Sequence, residues 1–136
     1  MRNLSTLAAG AAAAAAIAMA VSCGSSSSSS STSPSGTCTP STIPNTLVIQ
    51  NNQICPQALT VTRGSQVTIL NSDSRNHMMN SDPHPDHTDC PELNQIGFLN
   101  PGQSRTSGNL NIARQCRFHD HDAPSNEGLK GTITIQ

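Results

Sequence analysis

The stretch of sequence that decides the fold lies near the C-terminus, at residues 115–135, QCRFHDHDAPSNEGLKGTITI. It runs from a half-polar segment through His119, Asp120 and His121 to the alternating segment GTITI. Residues two apart in a β-strand point to the same face. An extended backbone therefore aims both imidazoles in one direction, which predicts a paired-histidine site beside the last strand.

A second group of histidines lies earlier in the chain, within residues 72–91, SDSRNHMMNSDPHPDHTDCP. This segment is polar and contains three prolines, so we expect a long loop without a regular strand or helix. Loops of this length in compact domains are usually functional or disordered. The presence of His77, His84 and His87 together with a cysteine favours a functional loop.

The N-terminal residues have the composition of a targeting segment and a linker. Residues 1–22 combine Arg2 with an Ala-rich apolar run, which predicts a secretory signal peptide. The sequence AVSC ending at Cys23 resembles a bacterial lipobox, and this resemblance implies that Cys23 is lipidated. Residues 23–37 then form a Ser-rich tether, so residues 38–136 remain as one domain.

Composition excludes several classes of protein. Loss of Arg2 with the signal peptide lowers the Lys and Arg count from 7 to 6, against 8 Asp and Glu, a net charge of about −2. We therefore expect no nucleic-acid partner. Phe98 and Phe118 are the only aromatic residues besides histidine, and the chain has no Trp or Tyr. The core must therefore be built from Ile, Leu and Val.

Four cysteines fall within the predicted domain, which favours two disulfides in an exported protein. Four cysteines allow three pairings. We favour the pairs Cys38–Cys55 and Cys90–Cys116. The first closes a short N-terminal loop, and the second ties the histidine-bearing loop to the last strands.

The hydrophobic pattern after residue 38 has the two-residue period of β-strands, and no segment keeps a helical period. Several of the segments with this pattern are rich in β-branched residues. The predicted strands are residues 46–50, 58–62, 66–71, 95–99, 104–110, 112–119 and 129–136. Turn signals separate them, which is typical of an antiparallel β-sandwich.

The order of these segments resembles that of the cupredoxins, the blue-copper β-sandwich family. Asn71 ends a strand six residues before His77, residues 99–104 (LNPGQS) form a turn before a strand that leads back to the histidine pair, and Gly131 begins the last strand. The resemblance covers residues 45–136. It implies a cupredoxin-like antiparallel Greek-key β-sandwich of about six to eight strands, with His77 as the first copper ligand.

The other ligand positions depart from the family pattern. A blue-copper centre uses a Cys thiolate, two His and a weak axial Met. Leu129 stands two residues before Gly131, where the resemblance predicts the Met, and Phe118 is followed by His119 where it predicts the Cys. The chain therefore resembles a divergent lipoprotein member that lacks the usual Cys and Met copper ligands.

An imidazole-rich metal site remains after this comparison. We expect His77, His119 and His121 to hold the metal. Further candidates are His84, His87 and Asp120, and the alternatives are Cys116 and Met78. Asp120 could instead orient an imidazole by accepting its Nδ1–H. Imidazole and carboxylate donors without a thiolate favour copper, with zinc as the second choice.

These features predict an exported copper-binding protein, anchored by lipid to the bacterial membrane, at the outer membrane in the periplasm or at the cell surface. It would act in electron transfer or copper handling, with the metal ion and a redox protein as partners. The alternative is a metal-free cupredoxin-like structural or binding module stapled by disulfides.

No nucleophile elbow, phosphate-binding loop or HExxH motif occurs, so we expect no enzyme. A small copper oxidoreductase is the third class considered.

Overall fold

The structure, a computed structural model, describes residues 38–136. The predicted signal peptide (residues 1–22) and the tether with Cys23 (residues 23–37) lie outside the described residues. Within residues 38–136 there are nine strands and two short 3-10 helices, Leu93–Gln95 and Glu127–Leu129. In that same range, no helix has the length and hydrophobicity needed to cross a membrane. The strands are β1 Thr46–Gln50, β2 Gln53–Cys55, β3 Ala58–Val61, β4 Thr68–Asn71, β5 His77–Ser81, β6 Gly97–Leu99, β7 Ser104–Thr106, β8 Arg114–Asp120 and β9 Lys130–Ile135.

The strands form two sheets, one with the order β2-β1-β4-β7 and one with the order β3-β9-β8-β5-β6. Inward-facing aliphatic side chains of both sheets form one hydrophobic core. Phe118 belongs to this core, whereas Phe98 is exposed. The predicted all-β sandwich, with a core of Ile, Leu and Val, is confirmed.

Two pairs of strands are parallel, so both sheets of the sandwich, which was predicted as antiparallel, are mixed. β1 pairs with β4 in parallel, and β3 pairs with β9 in parallel. Parallel neighbours require a crossover connection, and the chain makes one between β1 and β4 by passing through β3 in the other sheet. The alternation of apolar residues reports which face a side chain occupies but not the direction of the strand.

The strand count also differs from the prediction, because β2 and β5 fall in segments predicted as turn or loop. Asn51 and Asn52 have φ values of 54° and 60° and join β1 to β2. Two consecutive residues with positive φ are typical of a tight hairpin turn, so the Asn-Asn pair was a usable signal for β2. β5 has the polar sequence HMMNS yet is the central partner of β6 and β8. Its inward face carries His77 and Ser81 as well as the core residue Met79, so the sequence shows no alternation of aliphatic residues.

The structure contains the disulfides Cys38–Cys55 and Cys90–Cys116, the two pairings favoured from the sequence. Cys90 and Cys116 are both fully buried in the core. Since Cys116 lies in β8, this bond fixes the C-terminal end of the histidine-bearing loop to that strand.

Gly131 lies directly opposite Phe118 in the β8–β9 ladder. A Cβ at this position would come within 2.7 Å of the Gln57 backbone oxygen and would also overlap the Phe118 ring. The glycine that opens β9 therefore allows the buried phenylalanine to pack across the sheet.

Candidate metal site

The structure brings four of the five histidines into one cluster: His84, His87, His119 and His121. One ring nitrogen from each can be chosen so that all four lie within 4.8 Å of one another. We call this group the four-histidine cluster. Four imidazole nitrogens at this spacing form a set that Cu(II) or Zn(II) can bind.

The alternation of side chains along β8 separates the cluster from the core. Cys116 and Phe118 point into the core, so His119 points to the opposite, outer face of the five-stranded sheet. His121 follows β8 directly, and its backbone N–H donates to the Met78 carbonyl at 2.6 Å. This bond continues the β5–β8 pairing past Asp120, so His121 also faces outward.

The other two imidazoles come from the connection after β5, residues 82–91, which we call the histidine loop. Its start and end are held together because the Asp89 N–H donates to the Asp82 carbonyl at 2.8 Å. The Asp82 N–H donates to the Arg117 carbonyl of β8 at 2.9 Å. His87 has a φ of 53°, and its carbonyl accepts from the Asn94 side chain at 2.8 Å. These contacts hold the loop against the outer face, so that His119 is only 2 % exposed.

Hydrogen bonds donated by Nδ1 assign the tautomers of two cluster histidines. The Nδ1–H of His119 donates to Asp82 Oδ1 at 2.6 Å, and the Nδ1–H of His87 donates to the Ser81 carbonyl at 2.8 Å. Each Nε2 then keeps its lone pair, as a metal ligand must. His119 Nε2 is buried and has no hydrogen-bond partner. A buried ring nitrogen with a free lone pair is expected of an imidazole that binds a metal. These residues therefore fit a bound cation.

His84 forms the solvent side of the cluster. Its side chain is exposed, and its ring lies 4.8 Å from the His121 ring and 5.5 Å from the His119 ring, centroid to centroid. Desolvation, followed by repulsion from the charged forms of His121, His119 and His87, lowers the pKa of His84 from 6.5. A lowered pKa favours the neutral imidazole, which is the form that binds metal.

The structure places His77 apart from the cluster. His77 is fully buried, with Nδ1 at 2.7 Å from Asp120 Oδ2 and Nε2 at 3.1 Å from Asp73 Oδ2. An ionised carboxylate can accept hydrogen bonds but cannot donate them. Both ring nitrogens of His77 therefore donate, and His77 is an imidazolium. Neither nitrogen then has a lone pair for a metal.

The charges around His77 shift the pKa values of both partners. Burial lowers the pKa of His77, but the hydrogen bonds and charges of Asp120 and Asp73 outweigh it and raise the pKa above 6.5. Burial raises the pKa of Asp120, but hydrogen bonds from His77, Met78 N–H and Asp122 N–H, and the charge of His77, lower it below 3.8. Both pKa shifts therefore favour the ionised form of the buried pair.

Two more of the predicted ligands, Asp120 and Cys116, also lie outside the cluster. The carboxylate of Asp120 is directed to His77 rather than to the four imidazoles. The sulfur of Cys116 is bonded to Cys90, which corrects its alternative assignment as a thiolate ligand. Met78 is half-buried in β5, opposite Phe98.

Two residues that orient the imidazoles were missed by the sequence analysis. Asp82, rather than Asp120, accepts the Nδ1–H of a cluster histidine, and Ser81 acts through its backbone carbonyl. Asp82 lies 37 positions from His119, so only the paired strands bring them together. A backbone carbonyl leaves no signal in the sequence.

We predict that the two disulfides contribute equally to stability but unequally to metal binding. Replacing Cys38 and Cys55 by Ala, or Cys90 and Cys116 by Ala, should each lower the free energy of unfolding by about 3 kcal/mol, since the closed loops are of similar length. Only the second pair anchors the histidine loop. The Cu(II) affinity measured by titration should therefore fall only for the Cys90/Cys116 variant. Equal affinities of the two variants would contradict this anchoring role.

We predict that the metal-free protein loses stability as the pH rises because His77 loses its proton. A histidine whose folded pKa is raised stabilises fully below the unfolded value of 6.5, and this contribution is lost as pH rises through the folded pKa. His77→Gln should lower the free energy of unfolding by on the order of 3–5 kcal/mol, since Asp120 is left buried without its cation. The difference between wild type and variant should shrink above pH 6.5.

Urea unfolding at several pH values measures this difference. His84→Gln is the matched control, because the pKa of exposed His84 is lowered and its replacement should not remove the decline. A wild-type minus His77→Gln difference that stays constant from about pH 5 to 9 would contradict an imidazolium at His77.

Comparison with known proteins shows which solved structures share this fold. No family model matches the chain, and no curated protein matches it in sequence. Solved structures do match. A reduced mutant of amicyanin is 16 % identical, with a TM-score of 0.53 over 67 % of this chain and 80 % of that one. An oxidised plastocyanin from Dryopteris crassirhizoma is 19 % identical, with a TM-score of 0.52 over 67 % and 99 %.

A purple cupredoxin from Nitrosopumilus maritimus is also similar, at 17 % identity and a TM-score of 0.51, over 67 % of this chain and 98 % of that one. Identities at this level show the fold and leave the site to be argued from the residues present. The four-histidine cluster contains no Cys. The chain thus has a cupredoxin-like fold with divergent copper-ligand positions.

Proposed function

We propose that the protein binds copper through His84, His87, His119 and His121. The observation that supports this is the spacing of the four ring nitrogens, all within 4.8 Å, together with the unpartnered, buried Nε2 of His119. Neutral imidazoles suit copper and zinc, and Cu(II) stands highest in the divalent affinity order. Copper is therefore the first choice and zinc the second. A bound copper ion would supply one-electron redox chemistry.

This ligand set revises the expected one. His119 and His121 are kept, and His84 and His87 replace His77 as the partners from the preceding segment. The argument against His77 is chemical, because both of its nitrogens donate to carboxylates. Asp120 then has a supporting role: it accepts from Met78 N–H and Asp122 N–H on the strand end that carries the two ligands.

Copper handling is the role that the site favours. His84 is exposed while His119 is buried, so a metal in the cluster would have one ligand at the surface where exchange can begin. Electron transfer is the second role, and its support is the similarity to reduced amicyanin and oxidised plastocyanin. In both roles the protein binds metal without acting as an enzyme.

The proposed location is the outside of the cytoplasmic membrane. Residues 1–22 and Cys23 have the sequence of a lipoprotein signal, and the tether of residues 23–37 would link the lipid to the domain. Two disulfides in a domain of this size also suit an oxidising compartment. The partners would be the metal ion, a redox protein and, through the lipid alone, the membrane.

We predict that the purified protein binds one Cu(II) with an ordinary tetragonal EPR signal and a weak d–d absorption band. His119→Ala should remove this species, because it deletes the most buried ligand nitrogen. His77→Gln changes a histidine outside the cluster, and samples that circular dichroism shows to be folded should keep the copper spectrum. An intense band near 600 nm, or loss of the signal in folded His77→Gln alone, would contradict the assignment.

Further measurements on the same samples distinguish copper handling, electron transfer and a metal-free structural module. Rapid transfer of copper to a soluble chelator supports handling, whereas slow exchange with a reversible potential in voltammetry supports electron transfer. A metal-free structural module predicts equal thermal midpoints with and without Cu(II), because only a ligand that binds the folded state raises the midpoint.

A further inference from the structure

Asn80 is a neighbour of the four-histidine cluster that the imidazoles leave unexplained. It lies directly opposite His119 in the β5–β8 ladder. Residues paired in this way share one face of the sheet, with Cβ atoms about 4.5–5.5 Å apart. Asn80 is 8 % exposed, so its side chain lies on the covered outer face beside the cluster.

These two neighbours each carry a buried atom without a hydrogen-bond partner. The atoms are Asn80 Oδ1 and His119 Nε2. Both are electron-pair donors, because the His119 proton is on Nδ1 and is donated to Asp82. Two acceptors cannot satisfy each other by a hydrogen bond. One cation placed between them would satisfy both.

Another pair of cluster nitrogens is close enough for both to bind one cation. His87 Nε2 and His121 Nδ1 are 2.9 Å apart, and two nitrogens bound to one metal at about 2.0–2.1 Å lie about 2.8–3.4 Å apart. A hydrogen bond from His121 Nδ1–H now holds this spacing, and a metal would take the place of that proton.

We propose that the side-chain oxygen of Asn80 is a fifth donor to the metal, completing with the four imidazoles a tetragonal site that prefers Cu(II) to Zn(II). This inference rests on the proposed copper-binding function. Tetragonal sets of nitrogen and oxygen donors are typical of Cu(II), whereas zinc favours tetrahedral sites. Asn80 therefore determines which metal is preferred as well as how tightly it binds.

The test compares wild type with Asn80→Leu, which removes the oxygen but keeps the branched shape and the number of heavy atoms, and Asn80→Asp, which keeps an oxygen. Free Cu(II) is buffered with glycine, and optical and EPR spectra are recorded. Asn80→Leu should shift the d–d band to shorter wavelength, raise the parallel copper hyperfine coupling and lower Cu(II) affinity by on the order of tenfold. Asn80→Asp should keep the five-donor spectrum. Zn(II) affinity should change by less than that of Cu(II).

Gln115→Leu is the control, because it makes the same amide-to-leucine change at an exposed outer-face position of β8. Pulsed EPR of the wild type in D2O adds a readout independent of folding, and should show no water bound to copper in the fifth position. Identical spectra for wild type and Asn80→Leu, or a bound water, would overturn the inference while leaving copper binding intact. Failure of the wild type to bind Cu(II) would instead remove the proposed function.

Discussion

The two-residue alternation along β8 is the constraint on which the rest of the structure depends. Cys116 and Phe118 point inward and complete the core, and the next inward residue, Asp120, pairs with His77. The outward residues His119 and His121 point away from the core. One strand thus fixes the hydrophobic interior, the buried ion pair and half of the candidate metal site, because a strand cannot shift its side chains by one position without exchanging its faces.

This alternation explains why the interior and the outer face have different chemistry. The family resemblance places the first copper ligand at His77, but there the structure holds an imidazolium between Asp120 and Asp73. Removing one member of a buried ion pair leaves an uncompensated charge, which is strongly destabilising. The pair therefore fixes the ends of β5 and β8. The four imidazoles that can bind metal lie on the outer face, two at the end of β8 and two in the histidine loop.

Sequence patterns predicted most of the fold and about half of the site. Alternating Ile, Leu and Val residues located the long strands, and the histidine pair of β8 was recognised from its spacing. β5 was missed because its buried face carries His77 and Ser81 rather than aliphatic residues alone. The choice of His77 over His87 followed the family pattern. The contacts that reverse it, from Asp120 and Ser81, join residues distant in sequence or use backbone atoms.

The most direct test of the account is a crystal structure of the Cu(II)-loaded protein with anomalous data collected at the copper edge. One strong anomalous peak is expected on the outer face of the five-stranded sheet, among His84, His87, His119 and His121, with His77 still bonded to Asp120 and Asp73. A peak in the interior between His77 and Asp120 would contradict it, because the buried imidazolium would then be a copper ligand.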